Sequence, residues 1–177
     1  MKPGIIVMSE LHGELAERVH EIQRRFDPRM AAELPPHITI SGSSGMGPIS
    51  PDTTDDELRA AIETVAIDTA PFAVRLQPPV RFMQSVVVVM NVDPNGPIRA
   101  LHERIKSSGL SYEAPRFTFT PHCTLNFYPE LSREQLRDLL RFRIEEPVTI
   151  DSIQAYRALS LTRTKKVVDL PLTGSST

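Results

Sequence analysis

The apolar positions of this chain change period several times, and each change marks an element. Gly4-Ile5-Ile6-Val7-Met8-Ser9 is a short β-branched run and reads as a buried strand. From Glu10 onward, Leu11, Leu15, Val19, Ile22 and Phe26 recur at helical spacing, and Asp27-Pro28 stops that helix. His37-Ile38-Thr39-Ile40-Ser41 alternates polar and apolar positions, as a strand does. Residues 42–52 are rich in Gly, Ser and Pro and are expected to form a loop. Thr53 or Thr54 then caps a helix reaching about Ile67, with Asp55, Asp56 and Glu57 favourably set against its N-terminal dipole. Residues 72–76 read as a strand.

The same order recurs. Residues 85–92, rich in valine, form the clearest strand of the chain. Asp93-Pro94-Asn95-Gly96 is a turn, and Pro97 opens a helix that carries Ile98, Leu101 and Ile105. Residues 117–127 read as extended. Ser132 with Gln135 makes a capping box for a helix carrying Leu136, Leu139 and Leu140. Residues 148–161 and 166–170 supply further strands, and 173–177 a flexible tail. Strand, helix, histidine-bearing strand, helix and strand thus occur twice, with His37 and His122 85 residues apart. The pattern predicts an α+β fold of two lobes with approximate twofold symmetry. Residues 1–172 would form one domain whose lobes share strands, with halves at 1–80 and 81–172.

Composition narrows the function. The chain has 177 residues, of which 20 are basic and 22 acidic, giving a net charge of −2. A hydrophobic content of 40% excludes a disordered chain, and the charge balance argues against holding long nucleic acid by bulk electrostatics. An anionic ligand must be small or met by a local basic pocket. One cysteine forms no internal disulfide, and no apolar run approaches the roughly 18 residues needed to span a bilayer. The expectation is a soluble, cytoplasmic, monomeric protein with no membrane association.

The chemistry concentrates in a duplicated tetrapeptide, Pro36-His37-Ile38-Thr39 and Pro121-His122-Cys123-Thr124. Strand alternation places His37, Thr39 and Ser41 on one face, and His122, Thr124 and Asn126 on one face. Twofold symmetry would gather two imidazoles and two hydroxyls around one pocket. No cysteine, histidine and carboxylate spacing suggests a metal site. Cys123 points away from the His122 ring and reads as a core thiol. His12 and His20 read as solvated, and His102 as lying at a core boundary. The loop after Ser41 lacks the lysine of a nucleotide-binding phosphate loop and reads as a mobile rim. Phe82, Tyr112 and Tyr128 could stack on a base, with packing the better reading for each.

On these motifs the chain resembles the two-histidine phosphoesterase superfamily, within it the bacterial 2′-5′ RNA ligase and cyclic phosphodiesterase branch. The resemblance spans nearly the whole chain. It implies lobes that are each an antiparallel sheet with helices outside, around a central cleft. It also implies metal- and cofactor-independent work on phosphodiesters, with catalytic His37 and His122 and phosphate-binding Thr39 and Thr124; for cyclic phosphate hydrolysis it favours His122 as base and His37 as acid, roles that reverse with the reaction. The expected substrate is a small phosphodiester, a nucleotide or an RNA terminus, opened at a 2′,3′-cyclic phosphate. Reversible 2′-5′ joining of RNA ends and non-catalytic binding of a phosphate ligand are the alternatives. The ligase branch often carries an arginine three residues after the second threonine. This chain has Phe127 there, leaving Arg81 and Arg116 as candidates to supply the charge beside Ser41 and Asn126 as possible substrate contacts.

Overall fold

The two histidine-bearing strands pair with each other, and so do the last strands of the two repeats. The computed structural model describes residues 4–82, 85–160 and 163–175. The first repeat comprises β1 (Ile5–Glu10), α1 (Gly13–Phe26), α2 (Pro28–Glu33), β2 (His37–Ser41), α3 (Asp55–Ile67) and β3 (Phe72–Val74). After β4 (Val80–Arg81), the second comprises β5 (Val88–Asn91), α4 (Pro97–Lys106), β6 (His122–Asn126), α5 (Arg133–Leu139) and β7 (Val148–Ile150). Two further strands, β8 (Ser152–Ala158) and β9 (Thr164–Pro171), end the fold. A seven-stranded sheet runs β4-β5-β6-β2-β1-β8-β9, and β3 pairs with β7 in a separate ribbon. Every pairing among these strands is antiparallel. Two equivalent strands that meet at a twofold axis normal to their sheet must run antiparallel, and both β2–β6 and β3–β7 do so. The fold is α+β, with antiparallel sheets, helices outside them and no closed barrel.

The β2–β6 junction is narrow, with Ile38 opposite Cys123 as its one registered pair. Helices reinforce it by crossing over. From α1 of the first repeat, the Gln23 amide donates to the Thr124 carbonyl of β6 at 2.8 Å. Just beyond α1, the Asp27 carboxylate accepts the N–H groups of Phe127 and Tyr128 at 2.7 and 2.8 Å, and it also caps α2 through Met30. From α4 of the second repeat, His102 Nδ1 donates to the Ile40 carbonyl of β2 at 2.8 Å, its ring stacked on Phe119 at 3.8 Å. Gln23, Asp27 and His102 are all buried. Each repeat therefore supplies polar support to the histidine strand of the other. Beneath that strand pair Ile38, Ile40, Cys123 and Leu125 are fully buried in one apolar core.

Several sequence expectations change. Pro28 does end α1, but Asp27 immediately caps a second helix with Pro28 in its first turn, a position where proline's missing N–H costs nothing. Asp151 divides residues 148–160 between the ribbon and the large sheet, and Leu161 lies outside the described residues. Only residues 122–126 of the extended 117–127 segment join a strand. Strands β8 and β9, late in the chain, add to β1, so the large sheet is shared across the approximate halves 1–80 and 81–172. The start of the tail is docked, with Thr173 and Gly174 donating to the carbonyls of Ala66 and Thr69 at 3.0 Å; Ser176 and Thr177 lie outside the described residues. No helix among the described residues is long and apolar enough to cross a membrane.

The buried His102 ring makes stability depend on pH. Burial holds its pKa below the ordinary imidazole value, against the Ile40 carbonyl, which raises it. The unfolded chain therefore binds more protons, so this contribution is complete above about pH 6.5 and is lost as pH falls below it. Calorimetry should show a Tm that falls from pH 7 to pH 5, and less steeply in His102→Asn. His102→Leu, which leaves the Ile40 carbonyl without its donor, should cost about 1–3 kcal/mol at neutral pH.

Candidate active site

The two histidine strands have the same burial profile: the histidine and threonine are half-exposed, and the other three positions are buried. Continuing the Ile38–Cys123 register one residue each way puts His37 across from Thr124 and Thr39 across from His122. All four side chains then share the face opposite Ile38 and Cys123. The histidines are diagonal neighbours, for which Cα separations of about 7–8 Å are usual. Proximity is also felt electrostatically, since charge on His122 lowers the pKa of His37.

Each ring is oriented in the same way. His37 Nδ1 lies 2.7 Å from the Pro35 carbonyl, and His122 Nδ1 lies 2.7 Å from the Thr120 carbonyl. A carbonyl can only accept, so Nδ1 carries the proton in both neutral rings and Nε2 keeps its lone pair. Burial lowers both imidazole pKa values, against the carbonyls, which raise them. Pro36 and Pro121 precede the rings and favour extended backbone in Pro35 and Thr120, the residues whose carbonyls receive those bonds. The Phe82 ring packs 5.2 Å from the His122 ring and meets Phe117 edge-on at 6.1 Å, so aromatic carbon flanks that side.

The threonine hydroxyls make no hydrogen bond among the described residues. The Thr39 methyl occupies the space left by the missing side chain of Gly42, where an added Cβ would come within 2.8 Å of Thr39 Cγ2. Cys123 is fully buried behind the rings, and burial pushes its thiol up to about 12. It is a core thiol without nucleophilic character.

Ser41 and Asn126 do not join this face, which corrects the alternation argument. Ser41 pairs with Val7 while Thr39 pairs with Met8, the next residue of β1. Asn126 pairs with Val88 while Thr124 pairs with Val89. A bulge therefore sits at Ile40 and again at Leu125, and it turns the residue that follows to the opposite face. Ser41 Oγ donates to the Gly47 carbonyl at 3.0 Å, and Asn126 Nδ2 donates to the carbonyls of Val86 and Pro129. Both residues are fully buried.

The candidate arginines lie further out. Arg81 is exposed on β4, donates to the Ser85 carbonyl at 3.0 Å, and lines a surface depression with Arg133 and Glu130. Arg116 is exposed on a segment whose backbone bonds to Ser43. That bonding also pins the expected rim loop, through Gly45 N–H on the Phe117 carbonyl at 2.8 Å. At Gly47, with φ of +88°, a Cβ would collide with the Glu113 carbonyl, so only glycine fits. Phe127 is exposed and packs edge-on to Tyr128 at 5.0 Å. The Tyr112 and Tyr128 hydroxyls bond to the Ile105 carbonyl and to Glu33. His12 is exposed beside Ser152 and Asp151.

Glu10, Tyr156 and Lys166 were not signalled by any motif. Glu10 lies across from His37 on β1, and its carboxylate accepts from the Tyr156 hydroxyl at 2.6 Å and the Lys166 ammonium at 2.7 Å. Only the register of three strands, β1, β8 and β9, brings them together. No cluster of histidine, cysteine and carboxylate suited to a metal occurs among the described residues.

Comparisons with known proteins agree with this architecture. The Escherichia coli LigT apo structure superposes with a TM-score of 0.56 over 97% of this chain and 98% of that one, at 15% identity. TT0787 of Thermus thermophilus gives 0.58 over 98% and 100%, at 14% identity. A Bacillus pumilus (strain SAFR-032) protein named "Putative phosphoesterase" is 28% identical over 144 residues, covering 79% of this chain and 77% of its own. The model of the 2′-5′ RNA ligase superfamily matches residues 11–160, and the chain belongs to that superfamily of two-histidine phosphoesterases.

Proposed function

We propose that the chain hydrolyses a 2′,3′-cyclic phosphodiester on a nucleotide or RNA end, using His37 and His122 as a metal-independent acid–base pair. The observation that carries this reading is the pair of unprotonated Nε2 atoms, each fixed by an Nδ1 bond to the carbonyl two residues earlier. Opening the ring requires water to attack phosphorus as a sugar oxygen leaves. One imidazole takes the proton from water as the new P–O bond forms. The other, entering as imidazolium, gives its proton to the departing oxygen as the old P–O bond breaks. The two rings exchange protonation states, and solvent resets them. Thr39 and Thr124 donate hydroxyl hydrogen bonds to the non-bridging oxygens, whose charge grows in the transition state.

Ligand size is consistent with this reading, since LigT has been crystallised with 3′-AMP and with phosphate. The slight net negative charge also favours a short substrate over a long polynucleotide. Aromatic Phe127, where the ligase branch often carries arginine, leaves the histidines and threonines as the main phosphate contacts and favours hydrolysis over end joining.

The test is turnover of 2′,3′-cyclic nucleotides and of a cyclic-phosphate-ended oligonucleotide in excess chelator. Activity should persist with chelator and follow a bell-shaped pH profile. His37→Ala and His122→Ala should each lose about 10²–10⁴-fold in kcat. Absence of turnover on every substrate, or full activity in either variant, would overturn the reading. Gly42→Ala should turn the Thr39 hydroxyl away and lower kcat by roughly 10-fold or more, while Tm changes little. A large Tm loss with unchanged kcat would place Gly42 in the fold alone.

A further inference from the structure

Equivalent registers bring different side chains to the two imidazoles. Glu10 lies across from His37 in the β1–β2 pair, and Asn91 lies across from His122 in the β5–β6 pair. The bulges fall at matching places in the two pairs, so the pseudo-twofold superposes Glu10 on Asn91. Both rings are half-exposed, and each has its Nδ1 bond at 2.7 Å. A carboxylate beside one ring and an amide beside the other is the electrostatic difference between the two pairings.

Lys166 does not cancel that carboxylate. Its ammonium bonds to Glu10 at 2.7 Å and also to Asp169 at 3.2 Å, so one cation serves two anions and the cluster keeps a net negative charge. Burial alone would lower the Lys166 pKa, but the two carboxylates raise it well above its usual value, so the ammonium stays charged. The Tyr156 phenol, held up by burial and by Glu10, remains a neutral donor. His37 thus faces Glu10 from β1 and His122 from β6, with Tyr156 on β8 and Lys166 and Asp169 on β9 behind Glu10. His122 faces the Asn91 amide and the Phe82 ring.

Directional catalysis needs one protonated and one neutral ring. Protonating either histidine opposes protonation of its neighbour, so near neutrality the pair holds at most one proton. We propose that Glu10 is the positioning residue that directs this proton to His37, the ring to which the family resemblance gives the acid role in cyclic phosphodiester hydrolysis, with His122 as base. The assignment of roles rests on the two-histidine reading above. Burial lowers the pKa of both rings; at His37 the Pro35 carbonyl and then Glu10 work against it, whereas at His122 the Thr120 carbonyl does so with no carboxylate beside it.

Long-range ¹H–¹⁵N NMR of the imidazoles in the free protein tests proton placement without substrate. His37 should titrate above His122. Glu10→Gln should lower the His37 midpoint by about 0.5–1 pH unit, leaving His122 nearly still. Lys166→Met should raise the His37 midpoint, and the pair Glu10→Gln with Asn91→Asp should reverse the order of the rings. In turnover of a 2′,3′-cyclic nucleotide, Glu10→Gln should move the basic limb of the kcat/KM profile down, and Glu10→Asp should restore it. A His37 midpoint unmoved in both Glu10→Gln and Lys166→Met, or His122 titrating higher in the parent protein, would overturn the proposal. An unchanged pH profile in an active Glu10→Gln would remove its part in the reaction. Absence of turnover in the parent protein would instead overturn the hydrolase reading, and the NMR titration would still decide where the proton sits.

Discussion

The antiparallel contact between β2 and β6 is the constraint on which this molecule depends. With Ile38 opposite Cys123, one face of the junction is closed by apolar side chains and the other presents two histidines and two threonines. A slip of one residue would bury the imidazoles and expose the isoleucine. Such a narrow pairing cannot specify its own register by ladder hydrogen bonds alone. The register is held from outside, by β1 and β5 on its flanks and by Gln23, Asp27 and His102 reaching backbone groups of the opposite repeat.

Repetition and irregularity share the work at the site. The twofold relation gives each imidazole an equivalent carbonyl partner, two residues earlier in its own chain segment, and leaves the same ring nitrogen free. The reaction class proposed here is not symmetric, because a base and an acid must face each other. Differences between the repeats are therefore where directionality has to come from. Phe82 beside one ring, and Glu10 with Tyr156 and Lys166 beside the other, are such differences.

Much of this was legible in the sequence because the governing signals are local. Capping chemistry at Thr54 and Ser132, Pro97 at a helix start, and alternation through His37–Thr39 and His122–Thr124 all act within a few residues. What escaped is set by partners distant in the chain. The bulges at Ile40 and Leu125 are visible only against β1 and β5, and they removed Ser41 and Asn126 from the expected face. Asp27 resembles a helix stop but is also a buried acceptor for a strand about 100 residues away. Glu10 sits in the last position of a strand and carries no motif; its position beside His37 follows from strand pairing. The allocation of β8 and β9 to the first half of the sheet is likewise a matter of topology.

Helix crossover has a consequence for how the protein comes apart. Gln23 and Asp27 stabilise the strand that carries His122, and His102 stabilises the strand that carries His37. Neither histidine is secured by its own repeat alone. Melting of one repeat strips buried hydrogen-bond partners from the other, leaving unpaired carbonyls or N–H groups in its core. The duplication looks modular in sequence, yet these bonds tie the two repeats into one structural unit, so the geometry of the histidine strands and the packing of the whole fold depend on each other.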